Sequence, residues 1–153
     1  MEWFVLGALF GALAVMGASL IVNDLRERKV LNWQLVVFGV ISVLFTVFTG
    51  SIIEQKTYSA IVLEHVNSLF LPAIFFACWR LSNGKIIGSG DVWVAYILMF
   101  LLSWEQCWWA LLLASCLGLL HYSIKRDPRV PFGAMLLISA FGLLVVEFLV
   151  NFF

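Results

Sequence analysis

The sequence predicts an all-α polytopic membrane protein with six transmembrane helices in a single domain over residues 1–153, and both termini on the non-cytoplasmic side. Three observations carry that expectation. The first is composition: 63% of the 153 residues are hydrophobic and 12% are charged, whereas a soluble domain is about half apolar and about a quarter charged. The second is run length, since several windows stay apolar on every face for the roughly 17–25 residues that span a bilayer. The third is the placement of bases. Arg26, Arg28, Lys29, Arg80, Lys85, Lys125, Arg126 and Arg129 fall in the first, third and fifth loops, and only Lys56 falls on the opposite side. An excess of Lys and Arg marks the cytoplasmic face.

The elements follow in chain order. A first span is predicted near 3–22, where Glu2 and the lack of a basic n-region argue against a cleaved signal peptide. Its small residues Gly7, Gly11, Ala14 and Ala18 recur at helical spacing and predict close helix packing. A short second span near 34–50 follows Asn32, a residue type suited to capping a helix. A third is predicted near 60–79, and Gly84 in SNGK then serves a turn. The fourth, near 92–104, has Ile86 and Ile87 at its interface. Only Ser103, Trp104, Glu105 and Gln106 separate it from the fifth, near 106–122, so that turn must be tight. The sixth is predicted near 132–152, with Pro131 in its first turn, where a missing N–H costs little. Trp3, Trp33, Trp79, Trp104, Trp108 and Trp109 sit near span ends, as interfacial aromatics do.

Several function classes are disfavoured. The formal net charge is zero and there is no basic tail, so nucleic acid is not an expected partner. Cys78, Cys107 and Cys116 form no CxxC pair. They read as reduced, buried, small apolar residues, and no metal site or cofactor is expected.

The chemistry concentrates in the aspartates. Asp127, within KRDPRVP, reads as a solvated loop residue. Asp24 ends the first span and Asp91 begins the fourth, which places both at the cytoplasmic boundary. Ionisable residues at membrane depth are functional candidates. An ion pair, such as Asp24 with Arg28 at i,i+4, is the structural alternative. Two close carboxylates can share one proton, so that one activates water while the other polarises a peptide carbonyl and protonates the leaving amine. Gly88 and Gly90 flank Asp91 without side chains and leave room for a substrate strand.

Three ordered segments resemble the type IV prepilin peptidase family of GxGD intramembrane aspartyl proteases. They are Asp24-Leu-Arg-Glu-Arg-Lys-Val-Leu-Asn32, Gly88-Ser-Gly-Asp91 and Val130-Pro131-Phe132-Gly133. The resemblance covers nearly the whole chain. It implies that Asp24 and Asp91 are the catalytic pair, with Gly88, Gly90, Asn32, Pro131, Phe132 and Gly133 binding substrate or shaping the site. It implies an inner-membrane, multi-pass enzyme that cleaves the leader of a prepilin or pseudopilin on the cytoplasmic side, just before that substrate's apolar helix. The family's usual proline before Asn32 is Leu31 here, and the lysine that commonly follows the second motif is Trp93. The paired-cysteine segment associated with N-methylation in larger members is not seen, so peptidase without methyltransferase activity is expected, as in stand-alone peptidases of Flp-type pilus systems or preflagellin peptidases. The alternatives are a non-catalytic pilus-assembly protein derived from the same fold and a small proton-coupled transporter. His121 could tune the site or simply pack. His65 reads as structural, Glu64 as too near the opposite face to join the pair, and Glu147 as an outer-end residue.

Overall fold

The computed structural model describes residues 2–27, 32–53, 57–84, 87–125 and 130–152, and all of its regular structure is helical. The helices are α1 (Glu2–Glu27), α2 (Asn32–Phe48), α3 (Tyr58–Val66), α4 (Phe70–Leu81), α5 (Ser89–Leu101), α6 (Trp104–Lys125) and α7 (Phe132–Phe152). Among the described residues, Phe4–Glu27, Asn32–Ser51 and Trp104–Lys125 are long and apolar enough to cross a membrane. Phe70–Leu81, Ser89–Leu101 and Phe132–Glu147 are shorter apolar helices. Bases Arg28, Lys29, Lys56, Lys85, Arg126 and Arg129, together with Leu31, Glu54, Ile86 and Asp127, lie outside the described residues.

Four helices surround the interior. α1 packs on α2 and α7, and α5 packs on α2 and α7, with α4 flanking α5 and α6 flanking α7. Helical periodicity explains which face turns inward. On α1 the buried stripe is Leu13, Gly17, Leu20 and Asp24, at steps of four, three and four. On α5, Val94, Leu98 and Leu101 continue the face that Asp91 begins. On α7, Gly133, Leu137, Ala140 and Leu144 form the matching stripe.

Three expectations are corrected. The third span is not one helix: a short 3-10 turn, Asn67–Leu69, divides α3 from α4. Pro72 supplies the reason, because it has no N–H to donate to Ser68 four residues earlier. The Gly7 and Gly11 stripe does not mediate close packing, since a Cβ on either would meet nothing within 4 Å. The close approach lies one residue round the helix, at Gly17, where a Cβ would fall 2.1 Å from the Phe141 ring. Finally, only Cys107 is buried, while Cys78 and Cys116 are exposed on outward faces. Inside a bilayer an outward apolar side chain meets lipid, so burial within the protein is not required of it.

The turns are built as their residues dictate. α4 ends where Asn83 and Gly84 adopt positive φ (50° and 73°), with the Gly84 N–H donating to Trp79 O at 3.0 Å. This is the left-handed helix stop that glycine accommodates. α5 stops at Leu101, earlier than predicted, and Ser103 opens α6. The Ser103 N–H donates to Gln106 Oε1 at 2.9 Å, and the Gln106 N–H donates to Ser103 Oγ at 3.4 Å. That reciprocal pair is a capping box and makes the tight turn possible.

Candidate active site

α1 ends at one end of the bundle, and α2, α5 and α7 begin there. The first four N–H groups of any α-helix lack an intrahelical acceptor. At the start of α7 the first helical bond runs from the Met135 N–H to Pro131 O at 3.2 Å, so Pro131 occupies the cap position. A proline side chain holds no acceptor, and it cannot satisfy the N–H groups of Gly133 and Ala134. Two carboxylates from other helices do so. The Gly133 N–H donates to Asp91 Oδ1 at 2.8 Å, and the Ala134 N–H donates to Asp24 Oδ2 at 2.9 Å. Consecutive backbone donors thus hold the two aspartates side by side, and a helix N-terminus favours the negative charge they bring.

Each aspartate reaches this point by the register of its own helix. Asp24 is 8% exposed, at the end of the Leu13–Gly17–Leu20 stripe. Asp91 lies three residues beyond Gly88, which precedes α5, and its Oδ2 accepts the Gly88 N–H at 3.0 Å. Its carboxylate is therefore fixed twice, once to its own helix start and once to α7.

Gly133 is the tightest element. A Cβ there would lie 2.6 Å from Asp91 Oδ1 and 3.5 Å from Asp24 Oδ2. The Asp91 carboxylate leans into the space a side chain would fill, while Asp24 stays at ordinary contact distance, so any residue but glycine displaces Asp91. Phe132 anchors the same turn, its ring 5.5 Å from that of Phe75 on α4. Val130 packs on α6, where a Cβ at Gly118 would come within 3.2 Å of it.

The other sequence candidates fall into two groups. Gly88 and Gly90 are at the start of α5 beside Asp91, as expected from the motif. A Cβ on Gly88 would meet Asp91 Oδ2 at an ordinary 3.6 Å, so fit within the chain does not require glycine there. Asn32 and Trp93 lie at the same end of the bundle but face an apolar groove between α2 and α5 that both of them line. Among the described residues no hydrogen bond joins Asn32 to either carboxylate.

Sequence reading missed two parts of the site. One is Ala134, whose contribution is a backbone N–H and carries no side-chain signal. The other is a polar clamp from α1 to α2 beside Asp24. There the Asn23 Nδ2 donates to Gln34 Oε1, and the Gln34 Nε2 donates to Ser19 Oγ, both at 2.9 Å. Gln34 is buried, and a buried amide in an apolar helix was the available clue. His121 makes no hydrogen bond to the pair among the described residues; its Nδ1 is buried without a partner there. His65 lies away from the pair, with Nδ1 3.1 Å from Met99 O near the end of α5.

Two close carboxylates on one pair of N–H groups, at the end of an apolar bundle, have the geometry for acid–base chemistry on a water molecule. The family model for the type IV leader peptidase family matches residues 8–123, which include Asp24, Asn32 and Gly88–Asp91 and stop short of Pro131–Gly133. No curated protein and no solved structure gives a significant match. On the extent of the family match, well over half of its length, the chain belongs to the type IV leader peptidase family.

Proposed function

We propose that this membrane protein is an intramembrane aspartyl endopeptidase. It removes the leader of type IV prepilin-like proteins at the cytoplasmic boundary of the inner membrane. The observation that carries the proposal is the convergence of Asp24 and Asp91 on the adjacent N–H groups of Gly133 and Ala134. Family membership supports the choice of substrate class. The six-span topology with both termini outside belongs to the same proposal and accords with the basic loops.

One carboxylate, ionised, takes a proton from water as the oxygen attacks the scissile carbonyl carbon. The other, protonated, hydrogen-bonds the carbonyl oxygen as negative charge develops there. The tetrahedral intermediate then collapses: the C–N bond breaks, the amine leaves with a proton from the pair, and the leader departs as a carboxylate. The backbone N–H groups hold both acids in place and remain unchanged. The substrate must present an extended segment, because helical carbonyls are engaged in internal hydrogen bonds. The proposed activity is hydrolysis.

The test is cleavage of a prepilin-type substrate by the purified protein in lipid, with Asp24→Asn and Asp91→Asn beside the wild type. Both substitutions should abolish product. Persistent cleavage by either variant would contradict the assignment.

A further inference from the structure

The α2/α5 groove has a volume of about 620 Å³. One wall carries Val36, Val40 and Leu44, and the other carries Trp93, Tyr96 and Phe100. No charged side chain lines it. Measured along α2 from Asn32 to Leu44, it runs about 18 Å at 1.5 Å per residue. The floor is closed by Ile97, whose Cγ1 would lie at an ordinary 3.5 Å from a Cβ on Gly39, and the far end is tied by the Thr46 hydroxyl donating to Phe100 O. The aromatic wall is ordered edge to face, Trp93 with Tyr96 and Tyr96 with Phe100, at centroid separations of 6.1 and 5.8 Å.

Resting on the peptidase reading, we propose that this groove docks the apolar helix of the substrate, directly downstream of the scissile bond. Three features select that occupant. The groove reaches the end of the bundle that holds the candidate site, since its lining includes Asn32, the first residue of α2, and Trp93, in the second turn of α5. It follows the direction of the spans, so a helix seated in it leads its N-terminal end to the aspartates. Apart from Asn32 at one end its lining is apolar or aromatic, which suits a membrane helix and not a polar leader. Apolar helices in lipid associate by shape and packing, and a preformed groove supplies both. Trp93 is then a docking residue at that end of the groove, where other family members commonly hold a base.

The test uses the full chain in lipid nanodiscs and a synthetic substrate: a polar leader ending in glycine, followed by an apolar helix of about 20 residues. Val36→Trp and Val40→Trp fill the groove from positions that are 65% and 56% exposed, where a larger side chain has space. Leu119→Trp, on the outward face of α6 and 68% exposed, is the control. The expected result is a KM raised tenfold or more by each groove variant, with kcat within twofold and both constants unchanged in the control. Unchanged KM in both groove variants, as a groove that merely holds lipid gives, would overturn the proposal. So would a fall in kcat at constant KM, which reports a disturbed site. A wild type that cleaves nothing, with the protein folded, overturns the peptidase reading itself and this inference with it.

Discussion

Two helix starts in this molecule meet the same physical demand in opposite ways. At the beginning of α6 the unpaired N–H groups are handled locally and without charge, by Ser103 and Gln106 of the same turn. At the beginning of α7 the cap residue is Pro131, and the donors of Gly133 and Ala134 reach carboxylates from two distant helices. A neutral cap is enough to end a helix, and it avoids the cost of taking two charges out of water. Two aspartates on one helix start exceed what capping requires. On the proposed function, the difference separates an end built for stability from an end built to hold a reactive pair.

Substitutions can break or sharpen that contrast. The largest effect is expected at the carboxylates. Asn keeps a carbonyl oxygen that can accept the α7 N–H, so Asp24→Asn and Asp91→Asn preserve the cap but lose the acid–base group. Cleavage should fall by about 10³-fold or more, while helix content by circular dichroism stays at the wild-type level. A pair that served only as a cap would tolerate both changes.

Gly133→Ala comes next. The new methyl would be 2.6 Å from Asp91 Oδ1, and misplacing a catalytic group by about 1 Å can cost on the order of 10² in rate. The expected signature is a lower kcat with little change in KM, read by steady-state kinetics. The smaller effect belongs to the far end. Ser103→Ala removes a neutral cap and should lower stability by about 1 kcal/mol, measured by unfolding in detergent, with cleavage per folded molecule unchanged. Smallest is Gly11→Ala, where the added methyl meets open space and helix propensity favours alanine by up to about 1 kcal/mol. Gly17→Ala should instead destabilise, because its methyl meets the Phe141 ring.

Much of the site was legible because its side chains are chemically conspicuous. Asp24 and Asp91 are acids at the predicted membrane boundary, and Gly133 lies in a segment that drew attention by its resemblance to a family motif. Their meeting point was not legible, since it consists of backbone N–H groups that every residue but proline possesses. The all-helical fold followed from composition and run length. The break at Asn67–Leu69 was written in Pro72 but masked by the apolar run around it. The error over Gly7 and Gly11 has a similar cause: small residues at helical spacing mark a face, and only tertiary packing decides whether that face turns inward. The inward face of α1 carries Gly17 one step round, on the stripe that ends at Asp24.

The central claim is that Asp24 and Asp91 act as one unit on the α7 helix start. Residues that act as a unit are strongly non-additive. The decisive measurement is therefore the cleavage rate of a leader-bearing substrate by Asp24→Asn, Asp91→Asn and the double variant, each shown to be folded in lipid. Each single substitution should lose as much activity as the double. Appreciable cleavage by either single variant, or losses that multiply in the double, would contradict the claim.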